Sequence, residues 1–521
     1  NNWKVLFTRW STMGRTDVVD IGDENLRAVF LDGGAPSAMY RFDGDLKQVQ
    51  ELKRQGAYLP FISHKADDVL IVGPGAGKDI LLALMGGSKR ITAVELNPGV
   101  VEATKVFADF NGRVTDLPGV RMITDDGRNF IRSSRDIYDM IYLALIATDT
   151  SAPLSYAYTL TENYIYTTEA FNDYLDHVKA DGQVAFVFHE VRDLLKGVTT
   201  ALTVLEQRGI PSEQGVNHLA VINGCDGIGS AVRMPVLILR KTPYSVDGAN
   251  QLLAQAQERN LKPLFIPYVY EEGAIAAIGK GQVSLRQLAL ESPVNIQPAT
   301  DDQPFFFNFD KGIPPFLLIL LVIVLVIAAV PVGFLAWHEE SPLSLKPRDT
   351  LPPERTITLH VGYFAVLGVA FMLVEVPMIL QMGFLLGQPI VAGSLTLFGL
   401  LLATGIGSVA ASRFIPEPIR RMKFALMSAA GLVALYAVVL PLSMNLLSFH
   451  PITVRALAVV AYLLPVGFLL GVPFPSGLSL VSSIRPRQVQ YVWAVNSITS
   501  VLGSVLAIIF SLLLGFRVTL A

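Results

Sequence analysis

The chain has 521 residues, of which 51% are hydrophobic and only 16% charged, with a formal net charge of −3. That balance offers no electrostatic footprint for nucleic acid, and the single cysteine, Cys225, excludes an internal disulfide framework and any cysteine-based metal site. The apolar excess is concentrated after about Asp310, which implies a two-part membrane protein with the lipid bilayer as one partner.

The chain opens Asn1-Asn-Trp3 without an initiator Met or a signal-peptide pattern, and a preceding portion carrying further membrane helices is expected. Within residues 1–60, two short strand-like pieces, 26–31 and 37–41, flank the turn Asp32-Gly-Gly-Ala-Pro36 and predict an N-terminal β-hairpin.

Residues 61–310 read as one α/β domain. The run Val69-Leu-Ile-Val72 has strand character and stops in three alternate glycines, Gly73, Gly75 and Gly77. A helical apolar pattern follows, then the short strand Ile91-Thr-Ala-Val-Glu95, which ends in a carboxylate. Glycines let the backbone turn tightly and approach a ligand with no Cβ in the way. An acid about twenty residues on is placed to accept from ribose hydroxyls. Pro98 suits the first turn of the next helix. Strands at 120–124, 139–143, 183–188 and 235–240, separated by helical segments, predict a doubly wound, mostly parallel Rossmann-like sheet. The first of these strands, 120–124, ends in Asp125-Asp126-Gly127.

Before the membrane stands Thr300-Asp-Asp-Gln-Pro-Phe-Phe-Phe307, whose aromatic run reads as a belt at the headgroup level. Residues 311–521 then predict an all-α polytopic bundle of about six spans, near 313–337, 358–386, 390–412, 424–446, 455–479 and 491–516. Small residues such as Gly405-Ile-Gly-Ser408 and Gly503-Ser504 suit close helix packing. Glu375, inside the second span, faces a wet cavity or bonds to Gln381, Gln388 or Asn496. Pro473 and Pro475 break the fifth span near its end.

Leu31-Asp-Gly33, the glycine turn, Glu95-Leu-Asn-Pro98 and Asp126-Gly127 together resemble the spermidine synthase (aminopropyltransferase) family. The nearer resemblance is to bacterial membrane proteins of spermidine-synthase-like or S-adenosylmethionine-dependent methyltransferase-like type. Its patterns match the stretch 160–171, Thr300-Asp-Asp-Gln-Pro-Phe305, Phe371-Met-Leu-Val-Glu375, Gly471-Val-Pro-Phe-Pro475 and Trp493-Ala-Val-Asn496. The resemblance implies a methyltransferase-type Rossmann fold in a bacterial inner membrane and a polyamine-related transferase. It also implies S-adenosylmethionine or decarboxylated S-adenosylmethionine as cofactor. Gly73, Gly75 and Gly77 would pack on the adenosyl and amino-acid part, Glu95 would hold the ribose, and Asp126, beside Gly127, would accept from the adenine amino group.

Two departures change what is expected. Ala76 stands where aminopropyltransferases carry an Asp in the glycine turn, and Ala144 where they carry the catalytic Asp ending the fourth strand. A methyl group accepts no proton and balances no polyamine charge, which disfavours aminopropylation of putrescine. Asp149, five residues on, is the replacement catalytic acid, or else an exposed cap of Thr150-Ser151; Tyr142, Tyr164 and Glu162 are further pocket candidates. The competing reading is a catalytically degenerate accessory or assembly subunit, with membrane-protein partners or a homo-oligomer. A transporter built on Glu375 ranks last.

The basic residues Lys346, Arg348, Arg355, Arg413, Arg420, Arg421, Lys423, Arg485 and Arg487 fall in alternate loops. The positive-inside rule makes those loops cytoplasmic and, with one span between Lys311 and Lys346, turns the α/β domain outward. A cofactor made in the cytoplasm argues the opposite side.

Overall fold

The computed structural model describes residues 3–146, 162–226, 232–337, 355–484 and 486–521. The chain divides into two compact units, Asn1–Asp310 and Lys311–Ala521.

The first unit begins with an antiparallel sheet of four strands in sequential order: β1 (Lys4–Ser11), β2 (Gly14–Asp20), β3 (Leu26–Leu31) and β4 (Gly34–Tyr40). The expected hairpin is β3–β4, and β1 and β2 extend it. These two escape pattern reading because Val18 and Val19 are adjacent in β2 and both buried, and β1 alternates without a buried face. Val18, Val29 and Met39 pack on Ala76, Val100 and Ala103, seating the small sheet on the glycine turn and the helix Pro98–Val106.

Eight further strands follow: β5 (Asp68–Val72), β6 (Arg90–Glu95), β7 (Val120–Thr124), β8 (Tyr138–Ala144), β9 (Val178–Val187), β10 (Leu219–Asp226), β11 (Val236–Arg240) and β12 (Leu261–Phe265). They form one sheet in the order β12-β10-β11-β9-β8-β5-β6-β7. The strands from β9 through β7 in that order are parallel, and β10, β11 and β12 pair antiparallel. The doubly wound α/β class holds, and both sheet faces are covered. Leu70, Val72, Ile141 and Leu143 enter one core; Val69, Ile71, Met140 and Tyr142 enter the other. That alternation on strands buried on both faces explains their near-continuous apolar sequence.

β10 and β12 lie beyond the predicted strand inventory. β12 carries Pro263, which an edge strand tolerates because it needs no inward N–H there. β10 runs into Asn223-Gly-Cys225, which reads locally as a loop but is held by pairing; Cys225 is half-buried in it rather than exposed on a loop.

In the second unit, helices cover Pro315–Trp337, Arg355–Leu386, Pro389–Phe414, Pro418–Leu447, Ile452–Leu470, Pro473–Ile484 and Val489–Leu514. Among the described residues, five helices are candidate spans: Leu359–Leu386, Ile390–Phe414, Pro418–Met444, Ile452–Ile484 and Val489–Leu514. The first predicted span is helical as well, over Pro315–Trp337. The break expected from Pro473 and Pro475 falls between Leu470 and Pro473. Small residues set the closest approaches: a Cβ on Gly407 would lie 2.1 Å from the Phe468 carbonyl oxygen, and one on Gly471 2.1 Å from that of Thr404. Glu375 is buried, and among the described residues it bonds to none of its expected partners; Asn496 Nδ2 donates instead to the Phe364 carbonyl at 3.0 Å.

Candidate functional site

In a doubly wound sheet, ligands bind outside the carboxyl ends of the strands where the strand order reverses. Here β5 has β6 on one side and β8 on the other, so the reversal falls at β5 and its glycine turn. All three glycines are left-handed, with φ of +70° at Gly73, +55° at Gly75 and +103° at Gly77. Gly77 caps the helix Lys78–Met85. The turn is also closely packed by the chain itself. A Cβ on Gly75 would fall 2.3 Å from Ser37 Oγ, and one on Gly77 2.7 Å from Val114 Cγ1.

Glu95 ends β6 beside this turn and is buried. Its Oε2 accepts from the Gly75 N–H at 3.1 Å and its Oε1 from the Asn97 N–H at 2.9 Å. Burial raises its carboxyl above the ordinary range, against the pull of the Asn97, Gly75 and Leu96 amides. A carboxylate offers about four acceptor positions. With these amides on it, Glu95 still keeps acceptor capacity for a ribose hydroxyl.

Neighbouring strand ends are tied together by the Gly73 N–H donating to the Val94 carbonyl at 2.8 Å and the Asp125 N–H to the Glu95 carbonyl at 3.1 Å. Asp126 caps the helix Gly127–Ser133, its Oδ1 accepting from the Asn129 N–H at 2.8 Å. A Cβ on Gly127 would lie 2.3 Å from Val72 Cγ1, which is why glycine follows the acid. Gly73, Gly75, Gly77, Glu95, Asp126 and Gly127 therefore gather at the carboxyl ends of β5, β6 and β7.

The other expected pocket residues fare differently. Asp149 lies outside the described residues. Tyr142 is fully buried and donates to the Ala57 carbonyl at 3.1 Å, so it belongs to the core behind the sheet. Its place on β8 suggested the crevice, but strand alternation turns it away. The Tyr164 carbonyl accepts from Arg128 Nη1 at 2.6 Å. Glu162 is half-buried, and burial pushes its carboxyl up to about 7.

Several site features escape sequence reasoning because their partners are distant in the chain. Ser37 Oγ accepts from the Ala76 N–H at 2.9 Å, and Asn97 Nδ2 donates to Thr16 Oγ1 at 3.0 Å. Asp79, in the first turn after Gly77, is buried with its carboxyl pushed up to about 6 by desolvation. Leu145, just past Ala144, adopts a left-handed φ of +49°, a strained backbone at the carboxyl end of β8.

Arg128 is 1% exposed and is met by Asp173, Thr167 and Asp301. Asp301 belongs to the Thr300–Phe307 stretch, which the sequence placed at the membrane surface. Instead Phe305, Phe306 and Phe307 are buried, and Phe306 packs on Tyr166 at 4.6 Å between ring centroids. Aromatic-belt and core-aromatic sequences look alike; here Arg128 and Tyr166 supply the partners. Among the described residues, no group of three His, Cys, Asp or Glu side chains converges on a metal site.

No family model matches the chain. It is 32% identical over 87 residues to the polyamine aminopropyltransferase of Serratia proteamaculans (strain 568), a match covering 16% of this chain and 30% of that one. The Corynebacterium efficiens polyamine aminopropyltransferase is 37% identical over 90 residues, 16% of this chain and 17% of that one. The chain thus spans less than a third of the curated relatives it matches. Among solved structures, a spermidine synthase in complex with the transition-state analogue AdoDATO aligns over 47% of this chain and 76% of its own, at 17% identity and a TM-score of 0.35. Spermidine synthase from Thermotoga maritima aligns over 47% and 75%, at 16% identity and a TM-score of 0.34. A stretch of the chain is thus similar in sequence to polyamine aminopropyltransferases, and among the described residues five helices are long and apolar enough to span a membrane.

Proposed function

We propose that this is a membrane-embedded transferase whose α/β unit binds S-adenosylmethionine or decarboxylated S-adenosylmethionine and passes a methyl or aminopropyl group to an acceptor. The observation that carries the reading is Glu95: a buried carboxylate at a strand's carboxyl end, held by the Gly75 and Asn97 amides beside a left-handed glycine turn. Such an acid, with acceptor capacity left over, suits a ribose hydroxyl. When bound, the cofactor supplies an electrophilic carbon on a positively charged sulfur. Glu95 would fix the ribose, the Gly73 and Gly75 backbone would flank the adenosyl group, and Asp126 would accept from the adenine amino group. Asp149 is the proposed proton acceptor. With Ala144 at the end of β8, the acceptor we propose is amphipathic or lipid-borne rather than putrescine. Placement in a bacterial inner membrane, with the α/β unit on the cytoplasmic side, belongs to the same proposal.

A second reading, a catalytically degenerate accessory subunit bound to membrane-protein partners or to a second copy, is favoured by Ala76 and Ala144. Calorimetric titration of the full chain in detergent separates the two. S-adenosylmethionine, its decarboxylated form or methylthioadenosine should bind, and Glu95→Ala and Asp126→Ala should each abolish the heat. Silence of the unaltered chain toward all three ligands leaves the accessory reading.

A further inference from the structure

The helical unit holds a half-open cavity of about 740 Å³ where the broken span Ile452–Ile484 meets its neighbours. Its walls are mostly apolar, including Phe371, Leu426, Val433 and Phe474, with the hydroxyls of Thr404 and Ser500 among a few polar groups. That size and composition fall within the range of small-molecule sites, which helix bundles commonly form between their helices.

A second observation lies beside it. Arg421, in the first turn of the helix Pro418–Leu447, is 8% exposed. Its Nε donates to Ser476 Oγ at 2.8 Å and its Nη1 to the Ile415 carbonyl at 3.2 Å. Both partners are neutral, and among the described residues Arg421 forms no ion pair. Glu417, one turn away, is exposed and not paired with it. Exposed Arg420 and Lys423 add positive charge at the same helix end, and exposed Arg413 closes the preceding helix, Pro389–Phe414. A guanidinium stays charged, so burying it among neutral groups is costly unless an anion joins them. Its planar fork matches phosphate.

The two features are built on the same two helices, Pro418–Leu447 and Pro473–Ile484. Ser476 follows Pro475 of the cavity wall, and Leu426, also in the wall, lies five residues beyond Arg421, a rise of about 7.5 Å along the helix. We propose that this is a binding site for an anionic phospholipid, with a hydrocarbon chain in the cavity and the headgroup phosphate on Arg421. Basic pockets between spanning helices recognise lipid headgroups by the same electrostatics. The inference stands whether or not the α/β unit is an enzyme.

The test is lipid retention by the full chain in detergent, read by native mass spectrometry after incubation with phosphatidylglycerol or phosphatidylcholine. Two variants probe the two halves of the site. Arg421→Gln removes the phosphate partner. Gly405→Phe fills the cavity from a wall position where a Cβ meets nothing within 4 Å, so the fold has room for it. The unaltered chain should retain phosphatidylglycerol over phosphatidylcholine by about tenfold, the scale of one charge-assisted contact. Arg421→Gln should erase the preference, and Gly405→Phe should lower retention of both lipids. Equal retention of the two lipids by the unaltered chain overturns the proposal. So does retention that Gly405→Phe leaves unchanged, since the hydrocarbon chain then lies elsewhere.

Discussion

Ser37 Oγ, on the last strand of the small N-terminal sheet, accepts the backbone N–H of Ala76 at 2.9 Å across 39 residues of sequence. The hydroxyl bonds the middle of the glycine turn and occupies the space a Gly75 side chain would need. The small sheet and the glycine turn are therefore one packed assembly, which explains a glycine at 75 without any ligand.

This contact gives a coupled prediction. Gly75→Ala should destabilise the α/β unit by about 2–4 kcal/mol, through the clash and the left-handed φ. Ser37→Gly in the same chain should return at least half of that loss by removing the obstructing hydroxyl. A denaturant double-mutant cycle on the full chain measures the coupling, and strictly additive effects would refute the contact's role.

Arg128 gathers Asp173, Thr167, Asp301 and the Tyr164 carbonyl, joining the helix after Asp126 to the stretch that ends the α/β unit. Arg128→Met would leave Asp301 without its cation and Asp173 with only Arg132, 3.6 Å away, at a cost of about 3–5 kcal/mol. Arg128→Lys should recover less than half, because an ammonium cannot span the partners that a guanidinium fork reaches. Urea unfolding followed by tryptophan fluorescence reads both; wild-type stability in Arg128→Met would show the network to be idle.

Asp79 sets a pH dependence. Burial raises its carboxyl from 3.8 to about 6, so the folded chain holds a proton that the unfolded chain has released. This lowers stability: the penalty is absent below about pH 4, grows as pH rises, and is complete above about pH 6. Asp79→Asn should therefore stabilise the chain at pH 8 by at most about 3 kcal/mol and give no gain at pH 4. Thermal unfolding at the two pH values checks it; an equal gain at both would assign the effect to packing instead.

The side of the membrane can be read chemically. Cys225 is half-buried in β10, so a better probe is Gln257→Cys, on an exposed helix position, in a Cys225→Ser background. The proposed enzyme needs a cytoplasmic cofactor, and a membrane-impermeant maleimide should label this position only after lysis. Labelling of intact cells would place the α/β unit outside and favour the accessory reading.

What the sequence determined by itself was everything that depends on local pattern. Alternation and apolar run length announced β5 through β9, the glycine turn announced the crevice, and Glu95 and Asp126 fell at strand ends because parallel strands point their carboxyl ends the same way. The apolar helices and the break at Pro473 were equally local. Tertiary structure alone decided what each side chain faces. It turned Tyr142 into the core, drew Phe305–Phe307 inward, set Asn223-Gly-Cys225 in a strand and brought Ser37 onto Ala76. The physical reason is that periodicity encodes one residue's relation to its neighbours in the chain. Burial, pairing and buried charge depend on partners tens to hundreds of residues away, as Arg128 and Asp301 do.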